Sequence, residues 1–137
     1  MTMIETARAF FEACETGKGW EACSRYCTEN ATFSCQSGAL ADVNDLAGYT
    51  EWMKNLLVPL PDGRYELEGF AADDERDVVL AFAVFHGTHT SAGGPTDPTG
   101  RGVSSDYVYA MRFAGGRIEH VTKIWNDAHA LTALGWA

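Results

Sequence analysis

The stretch "VSSDYVYAMRFAGGRIEHVTKIWND" (Val103–Asp127) decides the fold. Two runs of alternating side chains flank Gly115-Gly116. Paired glycines supply the positive φ angles that a two-residue hairpin turn demands. Such a turn sets a register, and the register sorts side chains between faces. On that register Phe113 faces Ile118, Met111 faces His120, Tyr109 faces Thr122, Tyr107 faces Ile124 and Ser105 faces Asn126. This face is aromatic and apolar with a few polar groups, as a pocket wall should be. The other face pairs Arg112 with Glu119, Ala110 with Val121, Val108 with Lys123, Asp106 with Trp125 and Ser104 with Asp127. Strands apolar on both faces need a cover on each side.

Upstream lie two more strand patterns, "RYELEGFAA" and "DVVLAFAVFHGTHT", joined at "DDER". The Gly- and Pro-rich "SAGGPTDPTGRG" is a long loop. "ATFSCQS" (Ala31–Ser37) is a short strand by its Thr, Phe and Cys content. The beginning of the chain is helical. Thr2-x-x-Glu5 is a capping box, and Ile4, Ala7, Phe11 and Cys14 recur at helical spacing up to Gly17 and Gly19. A short helix is predicted over Trp20–Tyr26. A third follows Asn44, with Leu46, Tyr49, Met53 and Leu56 on one face, and stops before Pro59. The expected class is α+β: three helices as one cover of a mostly antiparallel sheet, and a second subunit as the other.

Composition bounds the function. The 137 residues fit one domain, 1–137. A net charge of −9 argues against nucleic acid or an anionic membrane surface, both of which need a basic face. The longest apolar run, "VVLAFAVF", is too short to cross a bilayer as a helix. Cys14, Cys23, Cys27 and Cys35 fall within predicted elements. The first residues do not look like a leader peptide, so free thiols in a cytoplasmic protein are expected. Cys23-x3-Cys27 lacks a second ligand pair for zinc, and no metal is expected.

Helices followed by a curved, mostly antiparallel sheet resemble the cone-shaped nuclear transport factor 2-like fold, and within it the SnoaL-like polyketide cyclase group. "LVPLPDGRYELEGFAADDERDVVLAFAVFHGTHT", "PTGRGV" and "RFAGGRIEHVTKIWNDAHALTALGW" carry the resemblance, which spans nearly the whole chain. It implies a pocket between sheet and helices, a small apolar or aromatic ligand and no cofactor, while the two apolar faces of the strands imply a homodimer through the sheet. It also implies ring closure by proton transfer, with an acidic residue near the end of the last strand. Counting from Phe113 or back from Gly135, that position is Asn126, and Asp127 follows it. An amide hydrogen-bonds a carbonyl but does not exchange a proton. Asp127 points to the other face of a regular strand, and only a bulge or turn brings it inward. Alternatively it caps the helix "AHALTALG".

Other proton carriers are open. His86 shares a face with Leu80, Phe82 and Val84, as a core residue or a pocket base. His120 is expected on the aromatic face, with Thr122 beside it. Tyr107, Tyr109, Trp52 and Cys35 are candidate ligand contacts, with packing as the alternative. If the opposite face is the hollow one, Lys123, Asp106 and Asp127 lead, with Trp125 as a platform. The expected activity is cyclase-, isomerase- or dehydratase-type proton transfer on a ketide-like or aromatic substrate. The alternative is a non-catalytic ligand-binding module.

Overall fold

A computed structural model describes all residues, Met1–Ala137. The chain begins with helix α1 (Met3–Glu15), whose Thr2–Glu5 capping box forms as predicted. Helix α2 (Gly19–Cys23) and a 3-10 turn lead into strand β1 (Cys27–Cys35). Helix α3 (Leu46–Leu56) is capped by Asp45, whose side chain accepts from the Gly48 amide at 2.7 Å. Strands β2 (Arg64–Asp73), β3 (Val78–Thr88), β4 (Gly102–Ala114) and β5 (Arg117–Trp125) follow. A fourth helix, α4 (Asp127–Leu134), closes the chain. No helix is long and apolar enough to cross a membrane.

The five strands form one sheet in the order β1-β5-β4-β3-β2. All neighbours are antiparallel except β1 and β5, which run parallel. Gly115 (φ 58°) and Gly116 (φ 81°) make the hairpin turn between β4 and β5. The first pairs past the turn, Ala114 with Arg117 and Phe113 with Ile118, match the expected register. Then the register slips by one. Arg112 pairs with His120, Met111 with Val121, Tyr109 with Lys123 and Tyr107 with Trp125. Glu119 is the extra residue of a bulge, and its carboxylate accepts from Arg112 Nε at 2.9 Å. Because side chains alternate, one extra residue exchanges the faces of everything beyond it.

The helices cover the face of Tyr107, Tyr109, Met111 and Phe113, which are all buried together with Val121 and Lys123. α1 lays Ala7, Phe10, Phe11 and Cys14 onto this face, while Ile4 stays 38% exposed. Phe11 packs against four rings, those of Tyr65, Phe70, Tyr107 and Tyr109, at 5.0–6.3 Å between centroids. The opposite face is open. Leu80, Phe82 and Ile124 lie there, 47%, 42% and 63% exposed. Phe82, Val108 and Ile124 form one cross-strand row on it.

Candidate functional site

Between sheet and helices lies an apolar cavity of about 50 Å³. Roughly 10–15 Å³ admits one water, so the space suits one slim group or the end of a longer molecule. Trp52, Met53 and Leu56 of α3 form one wall, and Tyr107 and Trp125 of the sheet another. Ala130, Leu131 and Leu134 of α4, with Trp136, close it. Its charged lining residues are Glu15 and Lys123.

Glu15 is the last residue of α1, four after Phe11 on the buried side of the helix, and is 3% exposed. Its two carboxylate oxygens accept from the Tyr107 and Tyr109 hydroxyls. The Tyr49 hydroxyl lies against that of Tyr109, extending the chain of phenols. Burial pushes the Glu15 carboxyl above the usual carboxylate range, against the opposing pull of Lys123 and the two phenols. The phenols of Tyr49, Tyr107 and Tyr109 are themselves raised, chiefly by burial, so they remain O–H donors.

Lys123 enters from β5 and is 6% exposed. Its ammonium sits over four aromatic faces: Trp125 at 4.4 Å, Tyr49 and Trp52 at 5.2 Å, and Tyr107 at 5.4 Å. It forms no ion pair. Burial lowers its pKa, and Glu15 partly opposes that shift. A buried acid held toward its neutral form and a buried base eased toward its neutral form share one apolar space. An acid and a base so placed are candidates for proton transfer.

The residues singled out from the sequence divide into three groups. Tyr107, Trp52 and Trp125 line the cavity, and Tyr109 stands behind them in the hydrogen-bonded chain. Trp125 donates its indole N–H to Ser105 Oγ at 2.9 Å. Cys35 is on the inner face, opposite Lys123 in the β1–β5 register, and borders a separate depression with Ser34, Gln36 and Thr122.

His120 and Thr122 are corrected in position. The Glu119 bulge turns both to the open face. There His120 meets Thr32 Oγ1 at 2.7 Å and Ser34 Oγ at 3.0 Å. Burial lowers the His120 pKa. His86 also lies on the open face, between Ser104 Oγ at 2.8 Å and Glu66 Oε1 at 3.2 Å.

The third group is the polar pair after β5. Asn126, not Asp127, is the cap of α4, accepting from the His129 amide at 3.2 Å. Asp127 occupies the first helical turn and accepts from the Ala39 amide at 3.0 Å. It thus ties α4 to the turn after β1. Neither residue lines the cavity.

Glu15 and Lys123 were not legible as a pair. The available signal for Glu15 was a carboxylate on the Ala7–Phe11 row of α1. The regular register puts Lys123 on the other face, and the Glu119 bulge brings it inward.

The SnoaL-like domain family model matches residues 7–121. Similar solved structures include IdmH of Streptomyces antibioticus, a proposed polyketide cyclase. It is 21% identical with a TM-score of 0.79, over 98% of this chain and 99% of that one. A proposed SnoaL-like polyketide cyclase of Jannaschia sp. CCS1 is 17% identical, TM-score 0.79, over 98% and 92%. AclR of Streptomyces galilaeus, a proposed hydroxylase, is 19% identical, TM-score 0.76, over 98% and 85%. At these identities the likeness is one of fold. No curated protein matches the chain in sequence.

Proposed function

The chain belongs to the SnoaL-like domain family, and we propose that it is a proton-transfer enzyme acting on a slim, largely apolar carbonyl compound. The reaction class is cyclisation, isomerisation or dehydration of a ketide-like or aromatic substrate, without a cofactor. The observation that carries the reading is the Glu15 carboxyl, buried at the cavity and held by two phenols.

The chemistry follows from that placement. An apolar cavity excludes water and holds the substrate carbonyl near the charged pair. Glu15 exchanges a proton with the carbon beside the carbonyl, or with its oxygen. Tyr107 and Tyr109 hold the carboxylate when it is ionised, so the proton leaves and returns at a fixed place. Lys123 supplies positive charge where negative charge develops on the substrate oxygen. Asp127 and Asn126 position α4, whose Leu131 and Leu134 form part of the cavity's cover.

A reducing cytoplasm belongs to the same proposal, and four unpaired cysteines, three of them buried, support it. It pairs with a second copy through the open sheet face, supported by the exposed Phe82–Val108–Ile124 row.

Enolisation can be read before the substrate is known. Butanone is incubated with the protein in deuterium oxide, and loss of its α-hydrogen signals is followed by proton NMR. Wild type accelerates the loss over buffer, and Glu15→Gln removes the acceleration. Exchange by wild type at the buffer rate refutes the proposal and leaves a non-catalytic binding module.

A further inference from the structure

Lys123 is an expensive residue to bury. Removing an ammonium from water is costly unless the charge is paired or otherwise compensated. Four aromatic faces at 4.4–5.4 Å return part of that cost. An apolar side chain would fill the same space without the cost. The ammonium has no ion-pair partner, and the carboxyl nearest in function, Glu15, is already occupied by two phenols. Lys123 also lines the cavity. The protein has three lysines, Lys18, Lys54 and Lys123. The first two are exposed and only the third is buried.

We propose that Lys123 is a covalent nucleophile that condenses with the carbonyl carbon of the substrate, and that the preferred substrate class is a small ketone or 1,3-diketone. This rests on the proton-transfer reading of the same cavity. The nitrogen lone pair forms the C–N bond as the C=O π pair moves to oxygen. Oxygen takes the proton of the Glu15 carboxyl, and the nitrogen returns one of its protons to the carboxylate. That proton then passes to the hydroxyl, which leaves as water while nitrogen forms the C=N bond. A neutral amine, a carbonyl compound and a neutral carboxyl become a protonated imine, a carboxylate and one water. No oxidant or reductant is involved. The Glu15 carboxylate so formed is the base that removes the neighbouring carbon-bound proton, giving an enamine. Burial favours both starting forms, since an uncharged amine is the nucleophile. A cation held only as a packing element needs no access to the cavity. Lys123 has that access.

Pentane-2,4-dione is the probe, because its imine rearranges to a conjugated enaminone that absorbs in the near ultraviolet. Wild-type protein at neutral pH develops this band at one equivalent, and peptide mass mapping places the adduct on Lys123. Lys18 and Lys54 are internal controls within the same sample. Lys123→Arg retains the charge but offers no primary amine to the cavity, so the band develops at least tenfold more slowly. Lys123→Met does the same, with folding of both variants checked by thermal melting. An adduct confined to Lys18, Lys54 or the amino terminus overturns the proposal, as does absence of a band. If butanone exchange still depends on Glu15 in that case, proton transfer stands and the covalent step alone falls. If exchange is also absent, both fall.

Discussion

Ile124 offers the most quantitative handle on assembly. It is 63% exposed, in direct register with Val108, which in turn pairs with Phe82. Full burial of an isoleucine side chain is worth about 1.5–3 kcal/mol, so covering the part still exposed contributes about 1–2 kcal/mol. A two-fold interface uses the same patch twice, which doubles the effect to about 2–4 kcal/mol per dimer. Ile124→Lys removes this contribution and adds a charge to be desolvated. The dissociation constant of the proposed dimer should therefore rise at least about 30- to 700-fold, at about 1.4 kcal/mol per tenfold. The fold itself should be unaffected, because Ile124 faces away from the helices. Sedimentation over a concentration series, with thermal melting as the control, measures both quantities. A monomeric wild type, or a variant that associates as wild type does, refutes the reasoning.

Three further outcomes are expected. Glu15→Gln preserves shape and both phenol contacts, since an amide can accept from one hydroxyl and donate to the other. The folded-state pKa of Glu15 lies above its unfolded value, so its contribution is full below the unfolded pKa of 4.5 and is lost as pH rises through the folded pKa. In urea unfolding the variant should thus gain on wild type across that window, by about 1.4 kcal/mol per pH unit, and a flat difference would contradict it. Phe11→Ala, at a fully buried site packed on four rings, should cost about 3–5 kcal/mol in the same assay. Asp127→Ala should cost about 0.5–1.5 kcal/mol through the Ala39 contact and, by loosening α4 over the cavity, should slow butanone exchange by less than Glu15→Gln does.

Much of the fold was legible because local chemistry marks it. Gly115-Gly116 announced the hairpin, and Thr2 with Glu5 announced the first helix. The alternation of Val103–Phe113 groups Tyr107, Tyr109, Met111 and Phe113 on one face of β4, and the fold shows that this is the face the helices cover. What the sequence concealed is equally physical. The Glu119 bulge has no compositional mark, since any residue can be the extra one. Yet it moves Lys123 and Trp125 inward and His120 and Thr122 outward. The parallel pairing of β1 with β5 joins segments some ninety residues apart, which no local pattern encodes. Glu15 follows the buried row of α1 by simple spacing, but a carboxylate at a helix end is ordinarily solvated. Only the phenols of Tyr107 and Tyr109, brought from β4, explain its place. The polar pair Asn126-Asp127 stands where the resemblance implies an acid. In the fold it starts α4 and ties it to the turn after β1.

The central claim is that Glu15 carries the exchangeable proton inside the folded protein. A carbon-13 NMR titration of its side-chain carboxyl, assigned by comparison with Glu15→Gln, tests it directly. The account predicts a midpoint above 4.5, raised by burial. A midpoint at or below 4.5 would mean a carboxyl that burial does not perturb, and would contradict the account.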